Sequence, residues 1–240
     1  MEREHGYRRG VRIDRRYLWG SGLPILAGLT LLCAALLLGR HGVGCWRCYG
    51  FLLWNLFLAW LPYLFSLAAD LLDRARPRAF GPLALLAVLW LAFLPNAPYI
   101  LTDFIHLRRV PSTSYGYDFM LIATFAGTGC LLGAMSLLIM QLLVGRYVGR
   151  GWGWAFAVVI VGLSGAGVYV GRFLRWNSWD LFTRPLHVID TVTEALRDPL
   201  DHPRALTLSL LLAVFLLGCY VLFYALATRL LGRRRAAGDR

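Results

Sequence analysis

The sequence predicts an all-α integral membrane protein: a bundle of about six transmembrane helices with both termini in the cytoplasm. Three observations predict it. Hydrophobic residues make up 58% of the 240 residues and charged residues 16%, against roughly 45–50% and about 25% in ordinary globular chains, and mean hydropathy is +0.59. Several stretches of about 20 residues carry no charge, which is the length that crosses a ~30 Å hydrocarbon core. Arginine is spread unevenly between the two sides that such crossings would create. This composition excludes a soluble enzyme, a disordered regulator and a secreted disulfide mini-protein.

Six spans follow, at about 19–39, 49–69, 81–101, 118–144, 152–171 and 206–228. They form one polytopic membrane domain over 19–228, between basic tails at 1–18 and 229–240. The first span follows a basic flank, as a signal peptide would. It is too long for a signal h-region, and no clean small-x-small site follows it, so it reads as an uncleaved anchor. Trp19, Trp46, Tyr49, Trp152 and Trp154 sit at span ends, where amphipathic rings match the membrane interface. The sequence has no lysine, so all 25 basic residues are arginine, and the net charge is +12. Sixteen arginines fall on the side of the N terminus and nine on the other, five of those nine within 172–205. The positive-inside rule therefore puts both termini in the cytoplasm. Basic runs such as Arg8-Arg9, Arg15-Arg16 and Arg233-Arg234-Arg235 set orientation and touch anionic lipid, so nucleic acid is not the expected partner.

Polar groups are costly in hydrocarbon, so their positions carry information. Asn55 lies six residues into span 2, roughly 9 Å below the outer surface at ~1.5 Å per residue. It reads either as an interhelical hydrogen bond or as a pocket group. Span 3 ends in Leu94-Pro95-Asn96-Ala97-Pro98-Tyr99-Ile100-Leu101-Thr102-Asp103-Phe104-Ile105-His106-Leu107. Pro95 and Pro98 each remove a backbone donor and crowd the preceding turn. The helix is expected to kink or break there, with Asn96 able to satisfy freed backbone groups. One reading is a capped, kinked helix end; the other is a discontinuous helix opening a cavity outward. Asp103 and His106 are spaced i, i+3 and share a helix face. That suits an Asp-oriented histidine base, a metal pair or a plain surface pair. No His-x-x-x-His or cysteine cluster completes a metal site, so neither metal nor cofactor is expected.

Span 4 opens at Asp118 and carries Gly127, Gly129 and Gly133. Span 5 carries Gly162, Gly165, Gly167 and Gly171. Small residues at these spacings let membrane helices approach closely. The segment after span 5 runs Gly171-Arg172-Phe173-Leu174-Arg175-Trp176-Asn177-Ser178-Trp179-Asp180-Leu181-Phe182-Thr183-Arg184-Pro185, the densest mixture of Arg, Asn, Asp and Trp in the chain. Arginine suits bidentate capture of phosphate or carboxylate. The same residues also fit a capped re-entrant helix held by internal Arg–Asp pairs. Leu186, Ile189, Val192 and Leu196 suggest a short amphipathic helix lying on the membrane.

Two motifs are tempting and incomplete. Gly162-Leu163-Ser164-Gly165 resembles the GxSG motif of rhomboid intramembrane proteases, whose serine needs a histidine base on another span. No span here holds an internal histidine, so Ser164 reads as a packing residue. Cys45-Trp46-Arg47-Cys48 resembles the first cysteine pair of periplasmic thiol oxidases that reduce quinone. The second loop pair is absent, because Cys33, Cys130 and Cys219 lie singly within spans. A passive disulfide is the simpler role for Cys45 and Cys48.

The segments LPNAPYILTDFIHL and GRFLRWNSWDLF, with Tyr117-Asp118 between them, resemble a family of bacterial multi-pass membrane proteins catalogued only as a domain of unknown function. The resemblance covers roughly spans 2 to 6. It implies an integral membrane protein of the bacterial cytoplasmic membrane and supplies no activity, substrate or cofactor.

The polar residues converge. Asn55, Asn96, Tyr99, Asp103, His106, Asp118, Arg172, Arg175, Asn177 and Asp180 all fall in the outer third of the membrane or just above it. They are expected to form one extracytoplasmic pocket for an anionic lipid or lipid-linked envelope component. Asp103, His106 and Asp180 are the acid–base candidates. Asn55, Asn96, Tyr99, Asp118, Arg172, Arg175 and Asn177 are the binding candidates. A non-catalytic scaffold that binds a lipid or protein partner is the alternative. A small transporter ranks lower, since the inner half shows little polarity beyond Gln141, and thiol-redox chemistry at Cys45 and Cys48 ranks lower still.

Overall fold

The computed structural model describes residues 20–40, 49–109, 115–173, 183 and 203–238. These residues are helical apart from short turns and include no strand. Six helices are long and apolar enough to span a membrane, and the protein is a multi-pass membrane bundle. The segments are α1 (Leu23–Arg40), α2 (Gly50–Ala75), α3 (Phe80–Phe93), α4 (Asn96–Tyr99), a 3-10 segment (Ile100–Arg109), α5 (Tyr115–Val148), α6 (Arg150–Phe173) and α7 (Pro203–Gly238). α3, α4 and the 3-10 segment together make the third crossing, over Phe80–Leu107. Six crossings return the chain to the side where it began. The bundle thus has a termini end, with the α2–α3 and α5–α6 turns, and a far end, with the α1–α2 and 3-10–α5 connections.

α5 is the spine. Its 34 residues span roughly 51 Å at ~1.5 Å each, and it packs against α1, α2, α4, the 3-10 segment and α6. α2 lies along it. The buried residues of α2 include Leu52, Leu56, Ala59, Tyr63, Ser66, Asp70 and Asp73. Their spacing alternates four and three, which keeps one stripe facing a neighbouring helix. That stripe starts apolar and ends in two aspartates.

The core has two lobes. The far-end lobe joins α1, α2, α4, the 3-10 segment and α5 around Tyr63, Phe125 and Leu132. The termini-end lobe joins α2, α3, α5, α6 and α7 around Trp90, Met140 and Tyr220. Trp90 is almost fully buried, and its indole N–H donates to the Ser136 hydroxyl on α5. α7 leans mainly on α6 and leaves Leu210, Leu211, Leu222 and Leu226 exposed.

The proline pair changes the hydrogen-bond pattern of the third crossing while the chain stays right-handed helical. Leu94 (φ −55°, ψ −40°), Pro95 (φ −60°, ψ −20°) and Ile100 (φ −59°, ψ −25°) keep helical dihedrals. The Ala97 N–H reaches Leu94 O at 3.1 Å, and the Asn96 side-chain amide donates to Phe93 O at 2.9 Å. Asn96 therefore restores a bond to a carbonyl at the interruption, as expected of it. Beyond it the helix tightens to 3-10, and Thr102 Oγ1 donates to Tyr99 O at 2.7 Å.

Small residues seat this irregular stretch against its neighbours. A Cβ built on Gly129 would meet Ala97 O at 2.5 Å, and one on Gly167 would meet Pro95 Cγ at 2.6 Å. On Gly165 it would meet Ser209 O of α7 at 2.7 Å. Gly127 and Gly162 have nothing within 4 Å and play no such part. Ser164 is buried, and its hydroxyl donates to Ile160 O at 2.9 Å, one turn back in its own helix. This matches its reading as a packing residue.

Gly129→Ala should therefore lower stability by about 1–3 kcal/mol, the usual cost of forcing atoms into a packed core. Gly127→Ala should be neutral or slightly stabilising. Thermal unfolding of the two variants in the same detergent checks the difference.

Candidate functional site

At the far end, Asp103 lies in the 3-10 segment and is 1% exposed. A 3-10 helix has three residues per turn, so positions i and i+3 eclipse. His106 consequently stands over Asp103, with Nε2 3.9 Å from Asp103 Oδ1. That distance is ion-pair reach for a protonated imidazole and too long for a hydrogen bond. The His106 side chain is 38% exposed, so the pair has one dry member and one open one. From α2, Asn55 Nδ2 donates to Asp103 Oδ2 at 2.9 Å. One turn earlier, Phe51 sets its ring 4.7 Å from the imidazole at a tilt of 48°. α2 thus supplies both the amide that fixes the carboxylate and the ring that backs the histidine. Chemically, such an arrangement can hold a carboxylate ready to orient or stabilise an imidazolium.

Asp118 is directed elsewhere. It is fully buried in the first turn of α5. Arg40, the last residue of α1, meets it with Nε at 2.6 Å from Oδ1 and with a terminal nitrogen at 3.1 Å from Oδ2. The fork geometry is bidentate. An acid at a helix start and a base at a helix end also complement the two helix dipoles. Beside it, Tyr117 donates its hydroxyl to Leu36 O of α1. These contacts tie α1 to α5.

The structure therefore brings Asn55, Asp103 and His106 together and gives Asp118 to Arg40. Asn96 and Tyr99 are half-buried at the proline interruption, two turns and one turn before Asp103 respectively. Arg172 falls in the last turn of α6, and its side chain lies outside the described residues. Arg175, Asn177 and Asp180 lie outside them as well, as do Cys45, Cys48 and the expected amphipathic helix at 186–197. Among the described residues no three His, Cys, Asp or Glu side chains converge.

A family described as "Protein of unknown function (DUF1361)" matches residues 54–219. The chain belongs to the DUF1361 family. No curated protein and no solved structure matches it. The DUF1361 stretch begins inside α2 and ends inside α7. It includes Asn55, Asp103, His106 and Asp118, and leaves out Arg40 and the Cys45–Cys48 pair.

A second polar cluster went unnoticed in the sequence, and it corrects the expectation of an inner half poor in polar groups. Asp70 and Asp73, on the last turns of α2, are 4% and 8% exposed. Arg146 of α5 reaches Asp70 at 2.6 Å and Asp73 at 3.1 Å. Arg74 binds Asp70 at 2.8 Å. Tyr147 donates its hydroxyl proton to Asp73, and the Tyr147 hydroxyl oxygen accepts from the Arg78 backbone N–H at 3.2 Å. Nearby, the Tyr220 hydroxyl donates to the buried Gln141. The signal was the four-three stripe of α2, which continues past residue 69 into the two aspartates.

Breaking the buried Arg40–Asp118 pair should be costly, because the surviving charge stays in a low-dielectric site. Arg40→Met or Asp118→Leu alone should destabilise by about 3–5 kcal/mol, and the double variant should recover most of it. A double-mutant cycle on thermal or denaturant unfolding measures this.

Proposed function

We propose that this DUF1361 protein binds the anionic headgroup of a lipid or lipid-linked envelope component at its far end and acts on it there. The single observation behind this reading is the Asn55–Asp103–His106 constellation. A buried carboxylate is held by an amide, with an exposed imidazole beside it, at the far end of the third crossing. Placing that end outside rests on the arginine imbalance. In this reading Arg172 and Arg175 hold the anion. His106 moves a proton while Asp103 orients it, with Asp180 as the other acid–base group. Asn96, Tyr99 and Asn177 shape the pocket. The setting proposed is the outer leaflet of a bacterial cytoplasmic membrane.

The second reading is a non-catalytic scaffold that holds a lipid or a partner protein. One observation favours it: Asp118 is consumed by Arg40, and Asp103 is already bonded by Asn55, so both acids have structural work. A transporter gains from polar groups at both ends. It loses from the stripe between Asn55 and Asp70, which carries Leu56, Ala59, Tyr63 and Ser66, with the Tyr63 hydroxyl tied to Ser21 O at 2.9 Å. Thiol chemistry at Cys45 and Cys48 falls outside the family stretch.

Mass spectrometry of envelope lipids and glycolipids tests the proposal. A deletion strain is complemented with wild type, Asp103→Asn or Arg175→Ala. Asp103→Asn is isosteric and can still accept from Asn55, so it should abolish turnover and spare most binding. A species that accumulates in the deletion and in both variants names the substrate class. Four matching profiles would sink lipid chemistry and leave the scaffold. Labelling of single cysteines at 106 and 180 should occur from outside the cell; labelling from the cytoplasm alone would invert the pocket.

A further inference from the structure

At the termini end, α5, the start of α6 and α7 enclose an open cleft of about 380 Å³ lined by Gln141, Leu142, Gly145, Arg146, Arg150 and Tyr224. Its polar lining is rich in donors and contains no carboxylate. Arg150 donates to the Tyr224 hydroxyl at 3.2 Å, which leaves that hydroxyl its own proton to donate. The Tyr220 hydroxyl occupies the Gln141 carbonyl oxygen, and among the described residues no acceptor meets the Gln141 amide N–H groups. Arg146 is matched by Asp70 and Asp73. Arg150 is paired with no carboxylate among the described residues, so the cleft carries a net positive charge. Such a donor set fits a phosphate oxygen.

The cleft also lies at the depth of a headgroup. Arg146 and Arg150 flank the α5–α6 turn, where Gly149 takes a positive φ of 97°. Trp154 meets Tyr224 edge to face at 4.8 Å, and Trp152 in the first turn of α6 is 69% exposed, as rings of an interfacial belt are. Towards the membrane centre, the half-exposed Leu142 of α5 and the exposed Leu222 of α7 offer apolar surface for acyl chains. Basic pockets between membrane helices are suited to acidic headgroups.

We infer that this cleft is a binding site for an anionic phospholipid of the leaflet at the termini end, with Arg150, Tyr224 and Gln141 holding its phosphodiester. The site is separate from the far-end pocket, and its fate does not depend on that pocket's function. The ligand contacts α5, α6 and α7 at once, so it also ties α7 to α5, to which α7 is otherwise joined by the Tyr220–Gln141 hydrogen bond.

The test uses the full chain in phosphatidylcholine nanodiscs with a small fraction of spin-labelled phosphatidylglycerol or spin-labelled phosphatidylcholine. Electron paramagnetic resonance reads the motionally restricted fraction of each. Wild type should prefer phosphatidylglycerol, and Arg150→Gln should reduce that preference about fivefold. Arg150→Lys should keep part of it. Tyr224→Phe should weaken it without removing a charge, which keeps the test alive if Arg150→Gln folds poorly. Arg229→Gln, an exposed change on α7 outside the cleft, should have little effect. No preference in wild type, or an equal loss in Arg229→Gln, would overturn the site. Loss of the preference on replacing chloride with inorganic phosphate at equal ionic strength would assign the cleft to a free anion and overturn the lipid.

Discussion

Everything in this bundle depends on meeting each charge that α5 carries near its ends. A charged group in hydrocarbon is expensive unless a partner is held against it. α5 has Asp118 near one end and Arg146 near the other. Arg40 meets the first and binds α1 to the spine. Asp70 and Asp73 meet the second and bind α2 to it. The apolar stripe of α2 fills the space between. Packing alone could let α2 slide along α5, because apolar side chains do not specify one axial position strongly. A bridge between Arg146 and two aspartates one turn apart does specify it.

The fixed register is what builds the far-end site. Asn55 and Asp70 lie on α2 fifteen residues apart, about 22 Å along the helix. Setting Asp70 against Arg146 therefore sets the height of Asn55. The third crossing is set independently by its close approach to Gly129 and Gly167. Asn55 and Asp103 meet where these two constraints intersect. The proline pair contributes indirectly: it lets the crossing change to a 3-10 segment, whose three-residue turn brings His106 over Asp103.

Much of the fold was legible because hydrocarbon imposes a simple rule on composition. Six uncharged runs became six crossings. The candidate pocket was legible in part. Depth alone put Asn55, Asp103 and His106 at one level, and the structure puts them in contact. Depth could not say that Asp118 would turn to Arg40. Arg40 sits one residue past the expected end of span 1, where a charge is ordinary. The Asp70–Asp73–Arg146 cluster escaped for a similar reason. Each residue sat next to an expected span boundary, where charges are normal, and only the three-dimensional pairing shows that the aspartates are buried. Boundaries also moved outward: α2 runs to Ala75 and α5 to Val148, so residues that looked like loop are helix.

The length of α5 has a consequence for the membrane around it. Asp118 and Arg146 are 28 residues apart, about 42 Å along the axis, close to the full thickness of a bilayer with its headgroups. In a membrane of that thickness both ends rest in polar surroundings with the helix upright. In a thinner one the hydrophobic mismatch must be relieved by tilt or by thickening of the nearby lipid. Because α1 and α2 are bridged to α5 by ion pairs, they must lean with it as one unit. Bilayer thickness would then act on the orientation of the whole bundle rather than on one helix.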